Sequence, residues 1–179
     1  NYNTITDTYA PGFNGSLAFT NSNYMFRAMA TYSTGLSKNG WAFTISGIGR
    51  YSKEGVIDGT FYNSGGLFLS LEKVLDKHNS LTLTAFGGSS ATYEEAYDLA
   101  GTHMYNPNWG WQNGEKRSAR IIESYDPTAM LTWLYKDGRT TLNTTAAVRW
   151  TYYSQSALQY YKANDPNPTY YRYLPSYYD

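Results

Sequence analysis

The sequence contains no cysteine among its 179 residues, which excludes a disulfide framework, a thiolate metal site and a cysteine nucleophile. Its two histidines are too few for a metal site built from histidine alone. Charged residues make up only 16%, and Lys+Arg and Asp+Glu cancel at 14 each. No long-range field therefore favours nucleic acid as a partner. No apolar run reaches the length of a transmembrane helix.

Signatures of catalysis and of cofactor binding are also missing. There is no Gly-x-Ser-x-Gly elbow, no P-loop and no dinucleotide-binding glycine pattern. His103 beside Ser89 or Ser90 is weak support for a hydrolase. Glu94 and Asp98 fall within one possible helical turn, but their spacing is not that of a calcium-binding loop. We expect no enzymatic activity, no metal and no cofactor.

The sequence is rich in aromatic residues, at 18% with 20 tyrosines. So many aromatic side chains would collapse a disordered chain, which argues against disorder. Helical periodicity is nearly absent, whereas apolar and polar residues alternate in long runs bounded by Gly, Asn, Asp and Pro. This pattern predicts an all-β chain with about seven antiparallel strands, at residues 14–20, 24–32, 41–52, 60–75, 79–86, 127–136 and 140–153.

The lengths of the strands and connections indicate a membrane-spanning wall. Several runs hold ten or more residues, enough for a tilted strand to cross a bilayer, and aromatic residues gather near their ends. Short connections alternate with longer ones, which is typical of an outer-membrane barrel. Seven strands cannot close, so either the chain has further strands that the pattern does not reveal or it is a slice of a larger barrel. We expect residues 1–179 to be part of a single transmembrane β-barrel domain. The short connections are 35–40, 76–79 and 137–139, and the longer ones are 53–59 and an extracellular loop at 90–126.

The alternation also predicts which side chains face lipid, because a charge at the bilayer midplane costs about 2–4 kcal/mol. The residues expected to face outward are Leu67, Leu69, Leu71, Leu81, Leu83, Leu131, Leu142 and Val148. The residues expected to face the lumen are Arg27, Arg50, Glu72, Thr82, Thr84 and Arg149.

Several sequence motifs in the chain are similar to those of a known family. The stretch 105–120 reads YNPNWGWQNGEKRSAR, preceded by EEAYDL at 94–99 and followed by SYDPT at 124–128. Further matching motifs are GWAF at 40–43, GTFY at 59–62, HNSLTLTAFG at 78–87 and YYRYLPSY at 170–177. From about residue 12 onward the chain resembles the barrel of TonB-dependent outer-membrane receptors, in particular the SusC-like branch.

The resemblance implies a barrel of 22 strands in the bacterial outer membrane that imports glycans or peptides. It implies an N-terminal plug coupled to the TonB complex and a SusD-like surface lipoprotein acting as a lid. No plug domain or TonB box is recognisable in this chain. We therefore expect this chain to form part of the barrel wall and its loops, and not the plug that is coupled to the TonB complex.

The richest candidate site is the long loop. Tyr105, Trp109 and Trp111 are suited to stacking on sugar rings or packing against a peptide, with hydrogen bonds from Asn106 and Gln112. In the alternative, these rings only fold the loop onto the barrel rim. Arg117 could meet an acidic ligand or the partner lipoprotein, or simply pair with a nearby glutamate.

Two other functions remain open from the sequence. A soluble all-β carbohydrate-binding module could use Trp109 and Trp111 as its platform. A passive porin would have the same wall without a plug.

Overall fold

The computed structural model describes residues 6–21, 24–93 and 108–165, and this part of the chain is all-β. A 3₁₀ turn at Thr6–Thr8 precedes the strands, and the described residues contain no α-helix. Accordingly, no helix in the described part is long and apolar enough to span a membrane. The strands are β1 (Gly12–Phe19), β2 (Phe26–Ser33), β3 (Trp41–Ser52), β4 (Tyr62–Val74), β5 (Asn79–Tyr93), β6 (Trp109–Gln112), β7 (Glu115–Ser118), β8 (Ile121–Tyr125), β9 (Thr128–Asp137), β10 (Thr140–Arg149) and β11 (Tyr152–Gln155).

Nine of these strands form one antiparallel sheet, in which β1 to β5 pair in chain order and the later strands do not all do so. β1 to β5 follow one another, and β5 then pairs with β9 along its first half and with β8 along its second half. β10 and β11 complete the far edge, while β6 and β7 form a separate hairpin. The sheet is not closed, because β1 and the β10–β11 edge each have a partner on one side only among the described residues.

Pro127 interrupts an otherwise continuous strand. The register of β8 against β5 continues unchanged into β9, so both belong to one line of backbone, and β10 and β11 continue each other in the same way. Proline has no N–H to donate to the ladder, but its carbonyl accepts from Trp150 N at 2.9 Å. A Cβ atom at Gly87 would lie 2.7 Å from Pro127 Cα, so the neighbouring strand needs glycine there. The sheet thus contains seven lines of strand, as predicted.

The connections lie at opposite ends of the sheet, as the sequence predicted. At the short-turn end, Val74 N donates to Gly40 O at 2.8 Å and Lys136 N donates to His78 O at 2.7 Å. At the other end, which we call the long-loop end, Lys116 contacts the connection between β3 and β4.

The predicted boundaries of the long loop are wrong. β5 continues to Tyr93 and β8 begins at Ile121, so residues 90–93 and 121–125 are strand. The β6–β7 hairpin occupies part of what remains. The possible helical turn at 93–100 lies outside the described residues, apart from Tyr93.

Pairing across the sheet assigns every side chain to one of two faces. One face, called the apolar face, contains Leu71, Leu83 and Leu131 in one cross-strand row. The opposite face, called the polar face, contains Glu72, Thr82 and Thr132 in the adjacent row. The residues expected to face outward all lie on the apolar face, and those expected to face inward all lie on the polar face. The division of these residues between two faces is therefore confirmed, because a period of two fixes it once the register is known; that one face meets lipid and the other a lumen stays a prediction.

β10 is exposed along its whole length, but in the strands β2 to β5 and β9 the buried residues lie on the polar face. Buried residues on it are Ser33, Ala42, Thr44, Ser52, Ser70, Glu72, Thr82, Thr84, Thr132 and Leu134, only two of which are hydrophobic. On the apolar face, by contrast, Leu83 is 51% exposed and Leu131 is 45% exposed. Leu69 and Leu81 are half-buried, and the other predicted outward residues are exposed. Within the described residues no second layer covers the leucines.

Candidate ligand-binding site at the long-loop end

The β6–β7 hairpin is the main feature of the long-loop end. Its two-residue turn is Asn113-Gly114, and both residues have positive φ, 53° and 79°, as a type I′ turn requires. Trp109 and Trp111 alternate with Gly110 and therefore lie on the same side of the hairpin. Lys116 pairs with Trp111 across the ladder.

Lys116 ties the hairpin to the connection between β3 and β4. Its Nζ lies 2.6 Å from Glu54 Oε1 and 3.2 Å from Asp58 Oδ1. The same ammonium group lies 4.6 Å from the ring centroid of Trp109 and 5.9 Å from that of Trp111. A cation between carboxylates and aromatic rings gains from both kinds of contact. Lys116 therefore joins two loops that are far apart in the sequence.

Trp109 packs directly against Gly59. A Cβ atom at Gly59 would lie 2.2 Å from Cβ and Cγ of Trp109, so no other residue fits without displacing the indole. Gly59 also has a φ of +71°, which favours glycine. Its N–H donates to Glu54 Oε1 at 2.9 Å. The glycine thus positions both the indole and the carboxylate that binds Lys116.

Hydrogen bonds stabilise the charged forms of Glu54 and Lys116. The hydrogen bond from Gly59 N–H, followed by that from Lys116, holds the pKa of Glu54 below its ordinary value of 4.5. The hydrogen bond to Glu54 raises the pKa of Lys116 above its ordinary value of 10.5. Both groups are therefore ionised throughout the neutral range.

A cavity of about 940 Å³ lies beside the hairpin, within the size range of sites for small ligands. Its lining includes Phe61, Trp111, Gln112, Arg120 and Leu158. Trp111 is 69% exposed and offers a free indole face. The cavity combines an aromatic surface with amide and guanidinium donors, which suits a sugar ring or a polar peptide.

The predicted contact residues of the long loop have unequal outcomes. Trp109 is engaged with Gly59 and Lys116, so it holds the loop in place. Gln112 Oε1 accepts from Arg117 Nη1 at 3.1 Å, and Arg117 Nη2 lies 3.6 Å from Glu115 Oε2. All four of these residues, Trp109, Trp111, Gln112 and Arg117, line the cavity. Tyr105 and Asn106 lie outside the described residues.

The four charged residues expected on the inner wall all lie on the polar face. Glu72 is 1% exposed and its Oε2 accepts from Asp7 N at 2.9 Å. Arg149 Nη2 lies 2.9 Å from Asp126 Oδ2. The guanidinium of Arg50 lies 5.6 Å from the ring centroid of Tyr24. Arg27 is directly opposite Arg50 in the strand pair.

Glu54, Asp58 and Gly59 were not foreseen as part of this site. Only the turn of the hairpin had a local signal, since Asn-Gly between two short alternating runs is typical of a β-hairpin. The partners of Lys116 lie 62 and 58 residues away along the chain. No local pattern could reveal that pairing.

The described residues include no group of three or more His, Asp or Glu side chains placed to hold a metal ion. Comparison with protein-family models, with curated proteins and with solved structures gave no match to this chain. The structure therefore classifies the chain only as an antiparallel all-β sheet.

Proposed function

We propose that this chain forms part of the wall of a transmembrane β-barrel in the bacterial outer membrane. The barrel belongs to a TonB-dependent receptor of the SusC-like type and imports a glycan or a peptide. The observation that carries this proposal is the inverted burial of the sheet, because one face exposes leucines such as Leu67, Leu83 and Leu131 while the buried residues of the other face are mostly serines and threonines. A bilayer is the surrounding that makes such an arrangement favourable, because an outward leucine is removed from water by lipid.

The dimensions of the apolar face fit a bilayer. From Trp41 to Tyr51 on β3 the strand advances about ten residues, or about 33 Å at 3.3 Å per residue. At the usual barrel tilt of about 40°, this corresponds to a height of about 25 Å, the height of the apolar band in outer-membrane barrels.

Aromatic residues mark both ends of the apolar face, and the tyrosines and tryptophans among them have polar tips that favour the membrane–water boundary. Toward the short-turn end the aromatic residues are Phe13, Tyr32, Trp41, Trp133 and Tyr135, and toward the long-loop end they are Phe19, Phe26, Tyr51, Tyr125 and Tyr152. The unpaired edges of the sheet also fit a wall that other strands complete, because hydrocarbon does not tolerate free backbone N–H and C=O groups. The resemblance adds a plug coupled to TonB and a SusD-like lid over the long-loop end, where the cavity lies.

Cysteine labelling in intact cells tests the membrane assignment, because this chain has no cysteine of its own. The natural polypeptide is produced with single substitutions Gln112→Cys, Lys77→Cys or Leu131→Cys and treated with a membrane-impermeant maleimide. We expect label at position 112 on intact cells, at position 77 only after the outer membrane is opened, and at position 131 in neither case. Labelling of all three positions in a water-soluble fraction would instead support the carbohydrate-binding module.

Energy coupling separates an active receptor from a passive porin. A strain lacking the gene is grown on a panel of glycans and peptides as sole carbon sources to find the nutrient. We expect uptake of that nutrient to stop when a protonophore collapses the proton-motive force. Uptake that persists under the protonophore would favour a porin.

A further inference from the structure

A row of hydrogen-bond donors crosses the polar face near the long-loop end. Successive residues in the row are directly paired from strand to strand, from β2 through β11. Its members are Arg27, Arg50, Ser64, Ser90, Ser124 and Tyr153. Two arginines and four hydroxyl-bearing residues thus occupy directly paired positions, and the row includes no carboxylate.

The two arginines are an unfavourable pair as they stand. Like charges directly opposite each other on neighbouring strands repel, and arginine remains protonated in proteins. Arg27 Nε is buried and has no hydrogen-bond acceptor within the described part of the chain. Neither Arg27 nor Arg50 makes an ion pair with any described residue. The Arg27–Arg50 pair therefore has no negatively charged partner among the described residues.

Arg149 on the same face provides the contrast. Its guanidinium is 2.9 Å from Asp126 Oδ2, so the chain supplies its counter-charge. The Arg27–Arg50 pair differs because its directly paired neighbours are Ala18 on β1 and Ser64 on β4, neither of which carries a negative charge. Ser90 and Ser124 are already hydrogen-bonded to each other at 2.9 Å.

Aromatic contacts hold the side chain of Arg50 in place before any anion binds. Arg50 is held beside the ring of Tyr24, whose centroid is 6.3 Å from that of Tyr62. A guanidinium with open N–H edges binds the oxygens of carboxylate, sulfate or phosphate in pairs.

We infer that the Arg27–Arg50 row is a binding site for an oxyanion, the carboxylate or sulfate group of an acidic solute. This inference deepens the proposed function and rests on it for the route of the solute, since the polar face would then line the barrel lumen. The inference restricts the imported nutrient to a negatively charged molecule.

The test compares anion binding by the natural polypeptide, purified in detergent, and by three variants. The probe is sodium sulfate, titrated against sodium chloride at equal ionic strength, with the midpoint of thermal unfolding as readout. The variants are Arg27→Gln, Arg50→Gln and, as matched control on the same face, Arg149→Gln. The general stabilising effect of sulfate acts on every variant, so only the difference between variants reports the site.

We expect a saturable sulfate-dependent rise in the unfolding midpoint, by RT ln(1 + [L]/Kd) in free energy, for the natural protein and for Arg149→Gln. In Arg27→Gln and Arg50→Gln the apparent affinity for sulfate should fall about tenfold, as expected for loss of one charge-assisted hydrogen bond. In chloride, either substitution should leave stability equal or higher because repulsion is relieved.

Equal sulfate effects in all variants would overturn the inference. A large loss of stability in chloride for both Arg27→Gln and Arg50→Gln would also overturn it, because it would show that a carboxylate of the protein already neutralises the pair. The result is separable from the membrane assignment. Cysteine labelling decides whether the sheet spans a membrane, whereas the sulfate titration decides whether the row binds an anion.

Discussion

The two faces of the sheet differ in both composition and exposure, and Leu83 and Thr84 show the difference within one strand. Leu83 is 51% exposed, whereas its neighbour Thr84 is 1% exposed. In a water-soluble sheet the leucine would be covered and the threonine would face solvent. The chain has therefore placed its apolar residues where only an apolar surrounding stabilises them.

The buried polar face is satisfied mainly by its own side chains. Hydroxyl pairs link neighbouring strands, including Thr31 with Ser46 at 2.7 Å and Thr132 with Thr145 at 3.0 Å. Each such bond contributes about 0.5–1.5 kcal/mol. A polar face needs such partners wherever water is excluded, whereas the apolar face needs only a covering medium.

The largest effect expected from this comparison concerns adjacent residues of β10. Val148 lies on the apolar face and Ala147 on the polar face. We expect Val148→Arg to destabilise the natural polypeptide in phospholipid vesicles by about 2–4 kcal/mol, because the charge would enter the hydrocarbon. Ala147→Arg should change stability by less than about 0.5 kcal/mol, as exposed substitutions usually do. Urea unfolding measures both, and equal effects would contradict a lipid-facing surface.

A smaller effect is expected at Glu72, which anchors the 3₁₀ turn to the polar face. Glu72→Ala leaves Asp7 N–H without its acceptor, at a cost of about 1.5–3 kcal/mol for a hydrogen bond to a charged group. Glu72→Gln keeps an oxygen acceptor and should cost less. Urea unfolding and hydrogen exchange of Asp7 N–H report the loss. Should Glu72→Gln and Glu72→Ala be equally damaging, the charge of Glu72 matters more than this hydrogen bond.

Adjacent threonines of β10 give the next comparison. Thr145 is bonded to buried Thr132, whereas Thr144 lies on the apolar face opposite Trp133. Thr145→Val should cost about 1 kcal/mol because it leaves a buried hydroxyl unpaired. Thr144→Val should be neutral or stabilising in vesicles. The opposite order in urea unfolding would mean that the faces are assigned the wrong way round.

The fold was predictable from the sequence where alternation is unbroken. The strand Trp41–Ser52 has the predicted bounds, and its period-two pattern assigns each side chain to one face. The prediction failed around 90–126, where Gly87, Gly88 and Pro127 interrupt the pattern although backbone pairing continues through them. Pairing between strands is a tertiary property, and it overrode the local signal.

The candidate site was less predictable. Trp109 and Trp111 were alike candidates for ligand contact, with packing of the loop as the alternative. Trp111 is exposed, whereas Trp109 packs against Gly59 in an earlier loop. The choice between the two indoles depends on Gly59, whose missing side chain makes room for one of them. A close approach of this kind leaves no trace in the local pattern.

The smallest expected effect concerns the docking of the β6–β7 hairpin, which depends on charged groups, in contrast to the two faces of the sheet. Glu54 has a lowered pKa in the docked state, so docking of the hairpin should be complete above about pH 4.5 and be lost as the pH falls through the lowered value. Lys116 has a raised pKa, so its contribution should be complete below about pH 10.5 and be lost as the pH rises through the raised value.

Hydrogen exchange of residues 109–118 measures this docking, after correction for the intrinsic pH dependence of exchange. We expect protection to fall at both extremes of pH and to fall further at high salt, which screens exposed charges. β5 has no Asp, Glu, Lys, Arg or His and should keep its protection over the same range, because hydrogen bonds and apolar burial hold it. Lys116→Gln should remove the pH dependence at the hairpin, whereas Glu115→Gln, which leaves Glu54 and Asp58 in place, should retain it. A hairpin whose protection changed in parallel with that of β5 would show that charge does not hold it, and the contrast between loop and wall would then disappear.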